Sequence, residues 1–377
     1  MTETRRYPGL ADALPFWASL LLLPILAIAT SLGGWALMLM PLCTWYLFGV
    51  LDRLIGDDTS NLDPTTPDSL LVWHRAITLI WAPLQSVAIF GTLAFVSQTD
   101  HLAAWEQAAL FFGVGILSGT VGIVYAHELM HQPSRYERWL ADILLAMVLY
   151  SHFRSEHLLV HHRYVATPRD AVSARYNEGF YRFFARVLPG SLISAWNAEA
   201  AMLARRGEAW WSLRNPFWRY DAMQLAFCML SFLIGGWAGL GLFLFQAFVA
   251  IWQLELVNYV EHYGLTRKHL GEGRYEQAKP RHSWNAAPRA SNALLINLQR
   301  HSDHHARPDR CFPLLQTYSE DEAPVLPRGY PLMTVAAMIP PLWRRIMNPQ
   351  VRAWRRKHYP EIDDWTPYKA GTLPLPK

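Results

Sequence analysis

Nine of the fifteen histidines stand in four short clusters: His127 and His131 in HELMH, His157, His161 and His162 in EHLLVHH, His262 in NYVEHYG, and His301, His304 and His305 in QRHSDHH. On a continuous helix, residues four apart lie on one face. His127 with His131, His157 with His161, and the i, i+3, i+4 set of the last cluster would then each aim their imidazoles to one side, which is metal-ligand spacing. A tetrahedral zinc takes four ligands, or three and a water, so nine nitrogens imply two metal ions. Imidazole serves iron, copper, nickel and zinc alike. The clusters sit at the ends of apolar stretches, which suits chemistry on a lipid-soluble molecule, and oxygen chemistry of that kind generally uses iron. HELMH alone would also fit a zinc protease with Glu128 as base, but that reading leaves the other clustered histidines idle.

A carboxylate adjoins every cluster: Glu128, Glu156, Glu261 and Asp303. Metal-bound imidazoles usually donate their second N–H to a carboxylate or carbonyl, so these four are candidates to orient ligands. Glu255 differs, because it stands inside an apolar stretch where an ionisable group is costly and usually faces a bundle interior. It is expected to point toward the metal site, with Asn258 one turn beyond. Glu255, Glu128 and Asp303 are the carboxylates expected to act in catalysis, and Glu156, Glu261 and Asn258 to support the ligands. The three cysteines, Cys43, Cys228 and Cys311, form no CxxC pair, so neither a zinc ribbon nor a disulfide is expected.

Long apolar runs must position these clusters. Four precede the first one, about Leu14 to Gly33, Trp35 to Leu51, Ala76 to Val96 and Ala108 to Tyr125; two more, about Ala222 to Ile234 and Trp237 to Val257, meet at Gly235-Gly236. A spanning helix needs roughly 20 mostly apolar residues. Every Lys and Arg falls on one side of the resulting topology: Arg5, Arg6, Arg53, Arg75, the stretch from Arg135 to Arg219, and all from Arg267 onward. By the positive-inside rule both termini and all four clusters are cytoplasmic. The first apolar run is too long for a signal peptide and lacks a cleavage site, so it is expected to remain as a helix. The expected fold is an all-α integral membrane protein of six transmembrane helices with a cytoplasmic histidine-rich catalytic cap. Its segments are 1–126 (helices 1 to 4), 127–219 (the first two histidine boxes), 220–260 (helices 5 and 6) and 261–377 (His262, the last box and a basic tail). A metal transporter would instead place ionisable residues near the midplane, often at broken helices.

From about residue 50 to 350 the chain resembles the membrane-bound, non-haem diiron alkane monooxygenases. The resemblance rests on HELMH, EHLLVHHRYVATPRDAVSAR, NYVEHYGL, KPRHSWN, LQRHSDHHARPDR, EAPVLPRGYP and IPPLWRRIMNP. Membrane fatty-acid desaturases share spaced histidine boxes. The resemblance implies two irons held by the nine histidines, and terminal hydroxylation of medium-chain n-alkanes with O2. It also implies electrons from NADH through a reductase and rubredoxin, in a bacterial-type plasma membrane. Met130 is a variant seen on the side of the xylene and cymene methyl hydroxylases, and Gln132 stands where the family usually has Lys, which leaves alkyl-aromatic or terpene methyl groups as an alternative, beside an acyl-lipid desaturase or hydroxylase. The partners expected are rubredoxin, the bilayer and a small hydrophobic substrate, with no nucleic acid.

Two finer expectations follow. At 3.6 residues per turn the face of the fourth span that carries His127 also carries Ile123, Thr120, Ile116 and Gly113, a groove that Trp45 or Tyr46 of the second span would close. Arg307 and Arg310, a few residues from ligands, are the expected docking points for an acidic electron donor.

Overall fold

The computed structural model describes residues 8–365 and Tyr368; Arg5 and Arg6 lie outside the described residues. Four apolar helices come first: α1 (Leu10–Leu32), α2 (Gly34–Ile55), α3 (Val72–Gln98) and α4 (Ala104–Met130), each long and apolar enough to cross a membrane. α3 and α4 run past the expected apolar runs at both ends, whereas α1 is extended only at its start and α2 chiefly at its end. Glu106, in the first turn of α4, accepts from its own cap at Ala103 N (3.0 Å) and from Gly34 N (2.8 Å), tying the α1–α2 turn to the start of α4.

A further apolar helical stretch, Pro216–His262, begins with Asn215 accepting from Phe217 N and Pro216 in the first turn. It is broken at Gly235 and Gly236, the latter at φ 59°, which a residue with a Cβ rarely adopts. Phe90 stacks on both Phe227 (5.6 Å) and Phe243 (5.8 Å). In a straight helix those two would be roughly 24 Å apart, so the chain reverses at the glycines.

Between α4 and this hairpin lie α5 (Arg135–Ala146), α6 (153–164) and α7 (Phe180–Ala204). The hairpin's arms are α8 (216–234) and α9 (237–262). After them come a two-stranded antiparallel hairpin, β1 (His269–Gly271) with β2 (Arg274–Tyr275), then α10 (His301–Ala306) and a last long helix, α11 (Pro340–His358). The chain is thus mostly helical, and β1–β2 is its only sheet among the described residues.

Sequence periodicity did not anticipate the π turns that interrupt α2 at Leu42–Leu47, α3 at Val87–Gly91 and α4 at Ser118–Ile123. A π turn bonds i to i+5 and rotates whatever precedes it out of the 3.6-residue register.

The contact that positions the site is α4 on α9. A Cβ at Gly115 would come 2.7 Å from Gln246 O, and one at Gly119 2.9 Å from Ala250 O. Small residues four apart let two backbones approach this closely. The contacts advance together along both helices, so α4 and α9 run parallel and deliver His127 and His262 to the same end. Gly119→Ala is therefore expected to destabilise the bundle by about 1–3 kcal/mol through overpacking, whereas Gly241→Ala, whose Cβ would meet nothing within 4 Å, is expected not to lower stability, since Ala is the better helix former. Thermal unfolding of both variants in detergent checks this; equal melting temperatures would refute the close approach.

Candidate metal centre

The nine histidines come together from four elements. Four of them, His127 and His131 at the end of α4, His157 in α6 and His304 in α10, place ligand nitrogens within 4.8 Å of one another. A second set does the same with His161, His262, His301 and His305. His162 joins the first set, its Nε2 2.9 Å from that of His157 and 3.3 Å from that of His131.

Two pairings expected from helical spacing, His157 with His161 and His301 with His304, do not hold. His157 and His161 fall in different sets because residues 157–161 form a π turn, which stacks i over i+5 and so sets His162 against His157. In α10, His301 and His305 stay together (Nε2 to Nε2 3.0 Å), while His304 joins the other set.

The Nε2 atom of His157 lies 3.0 Å from that of His127, 3.1 Å from His131, 3.4 Å from His304 and 2.9 Å from His162. A neutral imidazole nitrogen carries one lone pair or one proton, so hydrogen bonding cannot satisfy four such neighbours. A metal ion can, since metal–nitrogen bonds of about 2.0–2.1 Å set neighbouring ligands roughly 3 Å apart. Burial, and then the field of neighbouring imidazoles, holds His131, His157, His162, His301, His304 and His305 well below the usual imidazole range. They are neutral, with the lone pair free to ligate. The residues present thus fit a pair of metal ions.

The carboxylates behave differently from their sequence neighbours. Glu128 does not face an imidazole: its Oε1 accepts from Gln132 Nε2 (2.8 Å) and Phe312 N (3.2 Å). Asp303 is likewise engaged elsewhere, accepting from Arg310 (2.5 Å), Tyr318 OH (2.8 Å) and Gln316 N (2.9 Å). Glu261 Oε1 stands 3.4 Å from His301 Nδ1, yet the two are not aligned as a hydrogen bond. Both oxygens of Glu156 are buried without a partner, and burial, then the charges of Asp170 and Glu255, raise its carboxyl well above the usual range. Glu255, buried in α9, accepts from Tyr150 OH (2.8 Å) and from Asn258 (3.1 Å), so Asn258 holds Glu255 and not a ligand.

Sequence reading missed Asp170. His161 Nδ1 donates to Asp170 Oδ2 (2.9 Å), which also accepts from Ser173 Oγ (2.6 Å). Burial alone would raise Asp170, but His161 beside it and these two hydrogen bonds hold it below the usual range.

The supposed groove on α4 is also revised. The π turn at Ser118–Ile123 takes Ile116 and Gly113 out of line with His127. Gly113 faces Met40, a Cβ there lying 3.3 Å from Met40 Cβ. Ile116, Thr120 and Ile123 are buried, and Tyr46 is 47% exposed on the outside of the bundle, where it closes nothing. Trp45 does turn inward, edge-on to Phe112 (6.2 Å) and Trp252 (6.0 Å). Arg307 and Arg310 line a cleft of about 540 Å³ that reaches His131.

Residues 101–337 match the family model described as fatty acid desaturase. Alkane 1-monooxygenase 2 of Alcanivorax borkumensis is 35% identical over 369 residues, 94% of this chain and 93% of the relative. Alkane 1-monooxygenase 1 of Pseudomonas aeruginosa is 39% identical over 319 residues, 82% of each. The chain belongs to the alkane 1-monooxygenase family. The xylene/toluene monooxygenase hydroxylase component of Pseudomonas putida stands further off, 28% identical over 280 residues, 72% of this chain and 73% of the relative. The protein is thus an iron-binding membrane oxidoreductase whose histidines gather where α4 and α9 end.

Supporting partners of ligand histidines typically contribute 10–100-fold in metal affinity. Asp170→Asn, similar in size but without the charge, is expected to lower iron retention within about that range, read as iron per chain after graded chelation. Wild-type retention would assign Asp170 to folding alone.

Proposed function

We propose that the protein hydroxylates the terminal methyl group of medium-chain n-alkanes, using O2 at two irons and electrons from NADH passed through a reductase and rubredoxin. The observation that carries this reading is the convergence of nine imidazoles in two sets at one end of an apolar bundle. The reversal at Gly235-Gly236, with the one-sided Lys and Arg, supports six crossings with the termini and histidines in the cytoplasm.

The balance is R–CH3 + O2 + 2e⁻ + 2H⁺ → R–CH2OH + H2O. Two irons would supply reductive activation of O2. His127, His131, His157, His162 and His304 would hold one, and His161, His262, His301 and His305 the other. The chain must supply protons, keep bulk water out and present a chain end. For the protons, His152 Nε2 is 3.5 Å from Ser191 Oγ, which is 3.1 Å from Tyr150 OH, which donates to Glu255 Oε1. This row leads from part-exposed His152 to buried Glu255, in the role expected of that carboxylate, and moves protons inward. Trp45, packed on Phe112 and Trp252, limits how far an alkyl chain reaches into the bundle. Arg307, exposed at the cleft that reaches His131, receives the acidic donor; Arg310 is tied to Asp303 and shapes the cleft wall.

Whole cells carrying the chain with a rubredoxin and its reductase, offered alkanes, p-xylene and fatty acids, test the substrate. Primary alcohols from alkanes are expected, and purified protein should hold two irons per chain, lost with His157→Ala. The fraction of turnover lost with Arg307→Glu should be smaller at high salt, and Trp45→Ser should lengthen the longest alkane accepted. Aromatic or acyl products alone, or one zinc without iron, would overturn the reading. The methyl-aromatic alternative is favoured by Met130 and by the lower similarity to the xylene/toluene enzyme component.

Tyr150→Phe keeps the ring and breaks the proton row. Positioned proton donors contribute roughly 10²–10⁴-fold, so turnover should fall by about 10²-fold, with more O2 consumed per alcohol formed and an unchanged iron content. Unchanged turnover and coupling would show that protons enter elsewhere.

A further inference from the structure

A second pocket, of about 550 Å³, lies beside the second histidine box, and four arginines line it: Arg163, Arg169, Arg267 and Arg274. No Asp or Glu does. Arg274 meets Glu272 at 3.4 Å, but both side chains are more than 70% exposed, so that pair neutralises little. Arg267 spends its Nε on Glu276 O and its Nη1 on Arg163 O. Among the described residues, neither Arg163 nor Arg169 forms an ion pair with a carboxylate.

Arg169 is held in place. Its guanidinium sits 5.6 Å from the Tyr164 ring centre and 5.9 Å from that of Tyr275, a cation–π arrangement between two rings. Gly273 (φ +71°) closes the third side, where a Cβ would come within 2.7 Å of Arg169 Nη2. Yet Arg169 Nε and Tyr275 OH are buried with no hydrogen-bond partner. Donors fixed this firmly, beside excess positive charge and without an acceptor, are incomplete by themselves.

We propose that this pocket binds an oxyanion of the phosphate type, either free phosphate or a phospholipid headgroup. Guanidinium groups pair with such oxygens in bidentate fashion, and four of them favour a dianion over a single carboxylate. The site is separate from the metal centre, although Arg163 follows His162 and Arg267 braces the carbonyls of Arg163 and Val165. A bound anion would therefore stiffen the end of the second box.

The test uses the full-length protein. Labelled inorganic phosphate is titrated in detergent, and bound phosphorus is counted after reconstitution in nanodiscs of phosphatidylglycerol or phosphatidylcholine. We expect one saturable site per chain. Arg169→Ala and Gly273→Ala should weaken it at least tenfold, Tyr275→Phe, which removes only the hydroxyl, severalfold, and the exposed Arg206→Ala not at all. Phosphate binding in detergent identifies the free ion; Arg169-dependent retention of lipid phosphorus alone identifies the headgroup. Tyr275→Phe keeps the proposal testable should Arg169→Ala fail to fold. Binding of neither probe, or binding that Tyr275→Phe and Arg169→Ala leave unchanged, overturns it.

Discussion

Imidazole nitrogens that meet at about 3 Å repel unless something positive lies between them, and this protein gathers nine of them inside itself. Around His157 Nε2 no choice of tautomers satisfies four neighbours at 2.9–3.4 Å. Holding such a set together requires a rigid frame as well as cations. Gly115 and Gly119 let α4 lie almost backbone to backbone on α9, which fixes the ends that carry His127 and His262. The π turn at residues 157–161 distributes the second box between the two sets, and Asp170 locks the ring of His161.

What lipid and charge impose was legible in the sequence. The apolar runs, the paired glycines at 235–236 and the histidine clusters each leave a compositional mark. The π turns leave none, because they insert a residue into a helix without changing its composition, and that is why the face inferred for α4 was wrong before residue 118. Glu128 and Asp303 were misassigned for a related reason. Adjacent helical residues point about 100° apart, so an acid beside a ligand in sequence looks away from it. Glu128 and Asp303 follow this geometry. Asp170, which hydrogen-bonds the clustered histidine His161, arrives from a loop beyond α6, where no local pattern marks it.

Glu128 and Asp303 nevertheless have work that follows from where they point. Glu128 accepts from Phe312 N, and Asp303 from Gln316 N, Tyr318 and Arg310. Together they clamp residues 310–318 over the ends of α4 and α10, next to the ligands each one neighbours. With two donors on Glu128 and three on Asp303, both carboxylates are stable there, and removing one would free both a strand of backbone and a histidine box.

That clamp leaves the two sets unequal. All four histidines of the second set are buried, whereas His131 and His162 of the first retain some exposure, and the cleft lined by Arg307 ends on His131. A reductant arriving from solvent therefore meets the first set before the second. Glu255 and Asn258 stand two turns and one turn before His262 on α9, so the second set is the one continuous with the polar row inside the bundle. On the function proposed above, electrons and protons would approach from different directions, and the structure that would separate them is the same pair of close-packed helices that brings the histidines together.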